Sequence, residues 1–334
     1  MPTTDRNTKY VGGNPKRSAR TDRKGVDRIS SVPTAEAIAF ADAGSTAGMA
    51  ELPGGRFLMG NESEDAFPND GEGPVRPVTL KPFFIDICCV TNAEFEVFVL
   101  ETGYVTDAQR FGWSYVFKGL LSKQYAQTIA QTRAVVGLDW WLAVPGAHWC
   151  RPEGERSNLK GREYHPVVHV SWNDAIAYCR WVGKRLPTES EWEYAARGGL
   201  EQKTYAWGDE LTPGGKHRCN IWQGKFPEHN TAEDGYLGTA PTDAFAPNGY
   251  GLFNVAGNVW EWIGDWFSSD HHKPDSPATR DNPKGPDAGI NKVQKGGSFL
   301  CHKSYCNRYR VAARMSNTPD TSASNAGFRC VRDI

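Results

Sequence analysis

The sequence lacks any long apolar run. None of its 334 residues belongs to a stretch of about 18 apolar residues, the length a membrane-spanning helix needs. Residues 1–30 also lack the apolar core of a signal peptide. We therefore expect a protein without a membrane span that works in a bacterial-type cytoplasm.

An excess of charge of one sign is lacking too. The chain carries 38 Lys and Arg against 39 Asp and Glu, a formal net charge of −1. Proteins that bind nucleic acids usually show a basic footprint. We therefore predict no nucleic-acid partner.

Several motifs of familiar enzyme sites are missing. The chain has no glycine-rich phosphate loop, no nucleophile elbow and no His-Glu-x-x-His zinc helix. It also has no flavin or nicotinamide fingerprint. Any redox chemistry would therefore need a different cofactor, because side chains alone rarely supply it.

Glycine and tryptophan, in contrast, are abundant, with 35 and 12 copies. Glycines permit tight turns, and large rings bury much area. This composition predicts a loop-rich fold held by scattered aromatic anchors. We assign residues 1–50 to a polar, disordered tail and residues 51–334 to one folded domain.

Helix start signals occur at three places. Thr91, Ser171 and Thr188 each precede an acidic residue three positions later, the pattern of a capping box. Residues 105–165, between the first two, are aromatic and show no clear periodicity. We predict an irregular insertion there, whose rings either line a peptide-binding groove or anchor a loop.

Cysteine is the residue most suggestive of chemistry. Cys301 and Cys306, with four residues between them, lie in a polar, glycine-rich and aromatic run. Thiolates are soft ligands that select metals such as Cu(I), whereas zinc usually takes four ligands. From the residues alone, three interpretations remain open: a two-coordinate copper site, a redox-active thiol pair and a plain disulfide.

The residues around this pair resemble a known family, the formylglycine-generating enzymes or sulfatase-modifying factors. The resemblance covers about residues 51–334. The matching segments are His169–Ala175, Gly183–Glu189, Asn220–Gly224, Asn254–Trp262, Cys301–Cys306 and Ser322–Cys330. It implies an α+β, C-type-lectin-like fold with little regular secondary structure in a single domain. The cysteine pair is the more specific part, since inactive paralogues lack it.

The resemblance also implies an activity. Such an enzyme oxidises the cysteine of a Cys-x-Pro-x-Arg segment in an unfolded sulfatase to Cα-formylglycine, with O2 as oxidant and a thiol as reductant. Cys301 and Cys306 would hold Cu(I) in an opening that a peptide can reach. Ser298 and Tyr305 would donate hydrogen bonds close to the bound oxygen, and Trp260 would shield the pocket from water.

Two calcium sites are implied in the same way. The first would use the side chains of Asn220 and Asp234 with the carbonyls of Ile221 and Tyr236. The second would use Asn254 and Glu261 with the carbonyls of Gly257 and Val259. Calcium takes six to eight oxygen ligands of these kinds. The alternative is that the same groups only bond nearby amides.

The family pattern further pairs Cys179 with Cys330 as a structural disulfide, and we expect a monomer. Two other functions remain as alternatives. One is a non-catalytic peptide- or ligand-binding paralogue on the same fold. The other is an iron-dependent sulfoxide synthase, which would need an additional His-rich helical domain, whereas this chain has only eight histidines.

Overall fold

The three predicted capping boxes each begin a helix in the computed structural model, which describes residues 45–67 and 69–334. Thr91, Ser171 and Thr188 accept the backbone N–H three residues on, and each acidic partner accepts the cap N–H in return. Gly103 and Gly198 end the first and last of these helices in the left-handed conformation. These helix predictions are confirmed.

The helices of the described residues are short. They are α1 Asn92–Thr102, α2 Asp107–Phe111, α3 Lys123–Arg133, α4 Trp172–Trp181, α5 Glu189–Arg197 and α6 Pro277–Arg280. All nine residues of α5 are buried, so this helix runs through the interior rather than along the surface.

The strands of the described part form five small sheets, and the α+β class is confirmed. One sheet joins β1 Met49–Leu52, β4 Phe83–Asp86 and β14 Val331–Asp333. The largest joins β10 Trp260–Trp266, β11 Lys292–Lys295, β12 Arg314–Asn317 and β13 Ala326–Gly327. The others pair β2 Gly55–Met59 with β3 Arg76–Leu80, β5 Trp113–Phe117 with β7 Leu138–Pro145 and β6 Ala134–Val135, and β8 Gly224–Lys225 with β9 His229–Asn230.

The prediction of an irregular segment over residues 105–165 is wrong. This segment holds α2, α3 and the three-stranded sheet of β5, β6 and β7. Its pattern was hidden because β7 is covered on both faces. Leu142 packs with Ile129 of α3, whereas Trp141 packs on the other side with Phe299. A strand buried on both faces shows no polar–apolar alternation.

Among the described residues the first strand begins at Met49, two residues before residue 51. Predictions for residues 1–44 lie outside the described residues. No helix among the described residues is both long and apolar enough to cross a membrane.

Two large apolar clusters form the core on either side of the four-stranded sheet. Trp192 lies in one and Trp262 in the other, and both are almost fully buried. A smaller cluster at the end of this sheet contains Trp260, Cys301 and Cys306. The sheet therefore positions the cysteine pair.

Candidate functional site

Three neighbouring strands deliver the residues of the site to one end of the sheet. Trp260 begins β10, and its backbone N–H donates to the carbonyl of Asn325, just before β13, at 2.8 Å. β11 ends at Lys295, and Gly296 and Gly297 follow with φ of 89° and 74°. These left-handed conformations favour glycine and turn the chain into the cysteine-bearing loop.

The loop brings the two sulfurs together by folding back on itself. The backbone N–H groups of Tyr305 and Cys306 both donate to the carbonyl of His302. As a result the Sγ atoms of Cys301 and Cys306 lie 2.9 Å apart. A disulfide bond would place them about 2.05 Å apart, and both cysteines are free in this structure.

Both cysteines are buried. As whole residues Cys301 is 1% exposed and Cys306 8% exposed, while Lys303 and Ser304 between them are exposed. Both pack in one cluster with Trp260 and Tyr309. The opening expected for a peptide is therefore not seen at either cysteine in this structure.

The electrostatic environment separates the two thiols. A hydrogen bond from Cys301 lowers the pKa of Cys306 to about 7 despite burial, and the positive charge of Arg308 acts in the same direction. Burial raises the pKa of Cys301, the partner that keeps its proton. Cys306 is thus the thiolate of the pair near neutral pH.

Ser298 lies directly against the pair. Its backbone N–H donates to Cys301 Sγ at 3.4 Å, and its Oγ accepts from Asn325 Nδ2 at 2.9 Å. Sequence reasoning did not assign a role to Asn325, which fixes the Ser298 hydroxyl. The signal was present, because Asn325 belongs to the Ser-Ala-Ser-Asn run that carried the resemblance.

Tyr305 occupies the outer side of the loop. Its ring stacks on Phe226 with centroids 4.4 Å apart and meets the edge of Trp140 at 5.1 Å. Trp140 and Phe226 were not predicted as site residues. They come from β7 and from the turn after β8, so only the folded chain reveals the cluster.

Arg308 and Asp70 form a second missed contact. Arg308 Nε donates to Asp70 Oδ2 at 2.5 Å. The ion pair holds the guanidinium beside Cys306. Burial lowers the pKa of Arg308, but the hydrogen bond to Asp70 and the charge of Cys306 raise it above its ordinary value. The two residues lie 238 positions apart, so spacing could not show it.

The first predicted calcium site fits a cation. Asn220 is fully buried, and its Oδ1 has no hydrogen-bond partner. The amide nitrogen of Gln223 donates to both the carbonyl of Ile221 and Oδ2 of Asp234. A buried acceptor without a donor is costly, and a neutral amide N–H group already faces two of the predicted oxygens. The predicted ligand of Tyr236 is its carbonyl, whereas the contact seen in this structure is its backbone N–H, which donates to Asp234 Oδ1.

The second predicted calcium site fits less well. Oδ1 of Asn254 is again buried without a partner. The carboxylate of Glu261, however, accepts two bonds from Arg329, one from Trp192 Nε1 and one from Cys89. Its oxygens are already engaged, so a cation there would have to share them. The carbonyl-bearing residues Gly257 and Val259 lie in the connecting turn, where Gly257 bridges to Asn220.

The two cysteines that the family pattern pairs as a disulfide also lie close together. Cys179 Sγ and Cys330 Sγ are 3.5 Å apart, both buried and both free in this structure. Among the described residues no three His, Cys, Asp or Glu side chains converge as a metal site. Any metal at Cys301 and Cys306 would therefore have only these two sulfurs from such residues.

Comparison with known proteins agrees with this arrangement. Residues 34–334 match the family model of the sulfatase-modifying factor enzyme 1-like domain, and the chain belongs to this family. Formylglycine-generating enzyme of Thermomonospora curvata is 63% identical over 286 residues, covering 86% of this chain and 93% of that protein. The enzyme of the same name from Streptomyces coelicolor is 60% identical over 289 residues, covering 86% and 90%.

A solved structure supports the fold. PvdO from Pseudomonas aeruginosa is similar over 86% of this chain and 94% of its own, with a TM-score of 0.60 and 23% identity. At this identity the likeness speaks for the fold alone. The predicted sulfatase-modifying-factor fold is thus confirmed, and it forms a single domain.

Proposed function

We propose that this protein is a copper-dependent oxidase that converts a cysteine in a Cys-x-Pro-x-Arg segment of a sulfatase to Cα-formylglycine. The observation that carries the proposal is the contact of 2.9 Å between Cys301 and Cys306, in a loop whose residues Lys303 and Ser304 are exposed. Its two relatives with 60% or more identity bear the name formylglycine-generating enzyme. Family and thiol pair together favour this activity over a structural disulfide.

The donor set suits Cu(I). Two soft sulfurs with no carboxylate or imidazole bonded to them favour a soft monovalent metal. Cys301 and Cys306 would hold the metal through these two sulfurs. When bound, copper would supply the activation of dioxygen, which the side chains do not.

The overall reaction balances with one O2 and two reductant thiols for each substrate cysteine. The CH2–SH group becomes an aldehyde, its sulfur leaves as hydrogen sulfide, the reductant thiols form a disulfide, and one water is released. Cys306 is the more acidic thiol of the pair, and we assign to it the contact with the substrate thiol.

The surrounding residues position and shield this chemistry. Asn325 donates to Ser298 Oγ, so the hydroxyl proton of Ser298 remains available to a group beside Cys301. Trp260, 4% exposed, covers the inner side and excludes water. Low local polarity strengthens each remaining hydrogen bond.

The aromatic cluster of Tyr305, Phe226 and Trp140 is the proposed docking platform for the extended substrate segment. Tyr305 and Trp140 are half-buried and border the exposed Lys303 and Ser304. Rings of this kind supply contact area at small entropy cost. An unfolded sulfatase, which presents its cysteine on an extended chain, matches such a platform.

We further propose calcium at the Asn220–Asp234 site and, more weakly bound, at the Asn254–Glu261 site. The two unpartnered Oδ1 atoms support the proposal. Calcium there would stabilise the loop between β9 and β10. Trp260, the first residue of β10, covers the cysteine pair.

Mass spectrometry tests the activity directly. A peptide with a Cys-x-Pro-x-Arg core, incubated with the protein, Cu(I), a thiol and air, should shift to the lower mass of the aldehyde product, in which CHO replaces CH2–SH. A peptide with Ser in place of Cys is the matched control. If the wild-type peptide stays unmodified while copper binds, the oxidase proposal fails, and the alternative of a non-catalytic peptide-binding paralogue is favoured.

A further inference from the structure

A buried arginine far from the cysteine loop in sequence lacks a counter-charge. Arg76, in β3, is 6% exposed, and its Nε has no hydrogen-bond partner. Its other nitrogens reach only the carbonyl of Pro74 at 3.4 Å and the thioether sulfur of Met59 at 3.3 Å. Within the described part of the chain no carboxylate lies within ion-pair distance of it. A buried cation without a partner is strongly unfavourable.

The surrounding charges do not compensate it. Glu193 is engaged by Arg197 and Lys295, and Glu189 by Arg314 at 2.8 Å. Counting Arg76, four buried cations share two buried carboxylates. The cations are Arg76, Arg197, Lys295 and Arg314, and the carboxylates are Glu189 and Glu193. Asp265, which contacts Glu189, supplies a third carboxylate, so the cluster carries an excess of one positive charge.

A cavity opens beside this excess charge. It has a volume of about 30 Å³, and Arg76, Arg314, His272, Lys284, Ser190 and Thr279 contribute to its lining. Nε of Arg314 is buried without a partner, like that of Arg76. Space of this size holds one to two water-sized particles. The donors that need a partner thus border a space suited to a small ion.

The cavity also has acidic groups, which are accounted for. Glu189 is neutralised by Arg314, and Asp265 accepts the backbone N–H of Glu189 at 2.9 Å. Burial raises the pKa of Asp265 to about 6. Burial lowers the pKa of Arg76, partly offset by the charges of Glu193 and Glu189, and lowers that of His272 to about 4, so His272 is neutral near pH 7.

We propose that this cavity binds a monovalent anion of about the size of chloride, held by the guanidinium groups of Arg76 and Arg314. The site is separate from the cysteine pair and independent of the proposed function. The anion would neutralise the excess charge and complete the hydrogen bonding of both arginines.

Such an anion would fix the segment that precedes β3. Arg314 donates to the carbonyls of Asp70 and Gly71, and His272 Nε2 contacts the carbonyl of Gly73. The same segment carries Glu72, whose carboxylate holds Arg310 at 2.6 Å. The anion would therefore stabilise a stretch that reaches the end of the cysteine loop.

Bromide offers a direct probe. Crystals of the wild-type protein soaked in sodium bromide should show an anomalous difference peak within hydrogen-bond distance of Arg76 or Arg314. Absence of a peak, with bromide visible elsewhere on the protein, overturns the proposal. This experiment needs no variant and so does not depend on a substituted protein folding.

Thermal unfolding provides the solution test. At constant ionic strength, replacing gluconate by chloride should raise the wild-type Tm by about 2–4 °C for each tenfold increase above the dissociation constant. Arg76→Met should lose this dependence, and Arg56→Met, an exposed arginine on β2, should keep it. If the wild type shows no chloride dependence and Arg76→Met is more stable in every salt, the guanidinium is merely uncompensated and the proposal is wrong.

Discussion

The carboxylate of Glu261 accepts Nε and Nη2 of Arg329 at 2.7 and 2.8 Å, and neither side chain is more than 1% exposed. This bidentate pair lies where the family pattern implies a calcium ligand. Trp192 and Cys89 donate to the same two oxygens. Glu261 therefore has little remaining capacity to bind a divalent cation. Of the two proposed calcium sites, the Asn220–Asp234 site is the favoured one.

Calcium should stabilise this protein chiefly through the first site. We expect Asp234→Asn to abolish most of the fall in Tm that a chelator causes in the wild type, because the substitution removes a charged ligand while keeping its shape. Asp139→Asn, at an exposed position of β7, should leave that fall unchanged. Differential scanning fluorimetry with and without chelator measures both. An equal fall in Asp234→Asn and the wild type would exclude calcium at this site.

Copper binding should depend on both cysteines of the loop. Cys301→Ala and Cys306→Ala should each remove the thiolate-to-copper absorbance on titration with Cu(I) and abolish turnover, because one sulfur cannot hold the metal alone. Near-UV circular dichroism should show an intact fold. Cys150→Ala, at a partly exposed cysteine outside the loop, is the control and should titrate like the wild type. Full aldehyde formation by Cys301→Ala would contradict the copper proposal.

Asn325 should act through Ser298. We expect Asn325→Ala to lower kcat about tenfold or more, with peptide KM and copper affinity unchanged, since a mispositioned donor costs rate rather than binding. Ser298→Ala should have a similar effect. The double variant should be no slower than Ser298→Ala, because the two residues form one hydrogen-bonded unit. Additive losses would assign Asn325 a separate role.

Glu193 should contribute strongly to stability near neutral pH. Although burial opposes it, the charges of Lys295 and Arg197 hold its pKa at about 2, below its ordinary 4.5. Glu193→Gln should therefore cost about 3–5 kcal/mol at pH 7 by leaving buried cations unpaired. Urea midpoints measure this loss.

The pH dependence of the free energy of unfolding provides a second check of the ion pairs that Glu193 forms. Because the folded-state pKa is depressed, the stabilisation is complete above about pH 4.5 and disappears as pH falls toward about 2. The difference between wild type and Glu193→Gln should shrink over that window. Glu96→Gln, an exposed position on α1, should differ little from the wild type throughout. A constant difference down to pH 3 would argue against an ionised Glu193.

The sequence predicts those parts of the fold whose signals are local. Capping boxes at Thr91, Ser171 and Thr188 locate three helices because each cap uses side chains within one turn. The antiparallel pairing of β5 with β7 is missed because β7 is covered on both faces, so its sequence does not alternate between polar and apolar residues. The same limit applies to the site. Ser298 and the cysteines are found within one loop, whereas Asp70 and Phe226 reach that loop only through tertiary packing.

The pairing of β14 with β4 has a consequence for synthesis. Residues Val331–Asp333 complete the sheet that also contains β1, and Arg329 and Cys330 beside them are fully buried. These interior positions stay empty until residues 329–333 have emerged from the ribosome. The sheet of β1 and β4 closes only then, and these earlier strands must wait without β14, a period in which chaperones have the opportunity to bind.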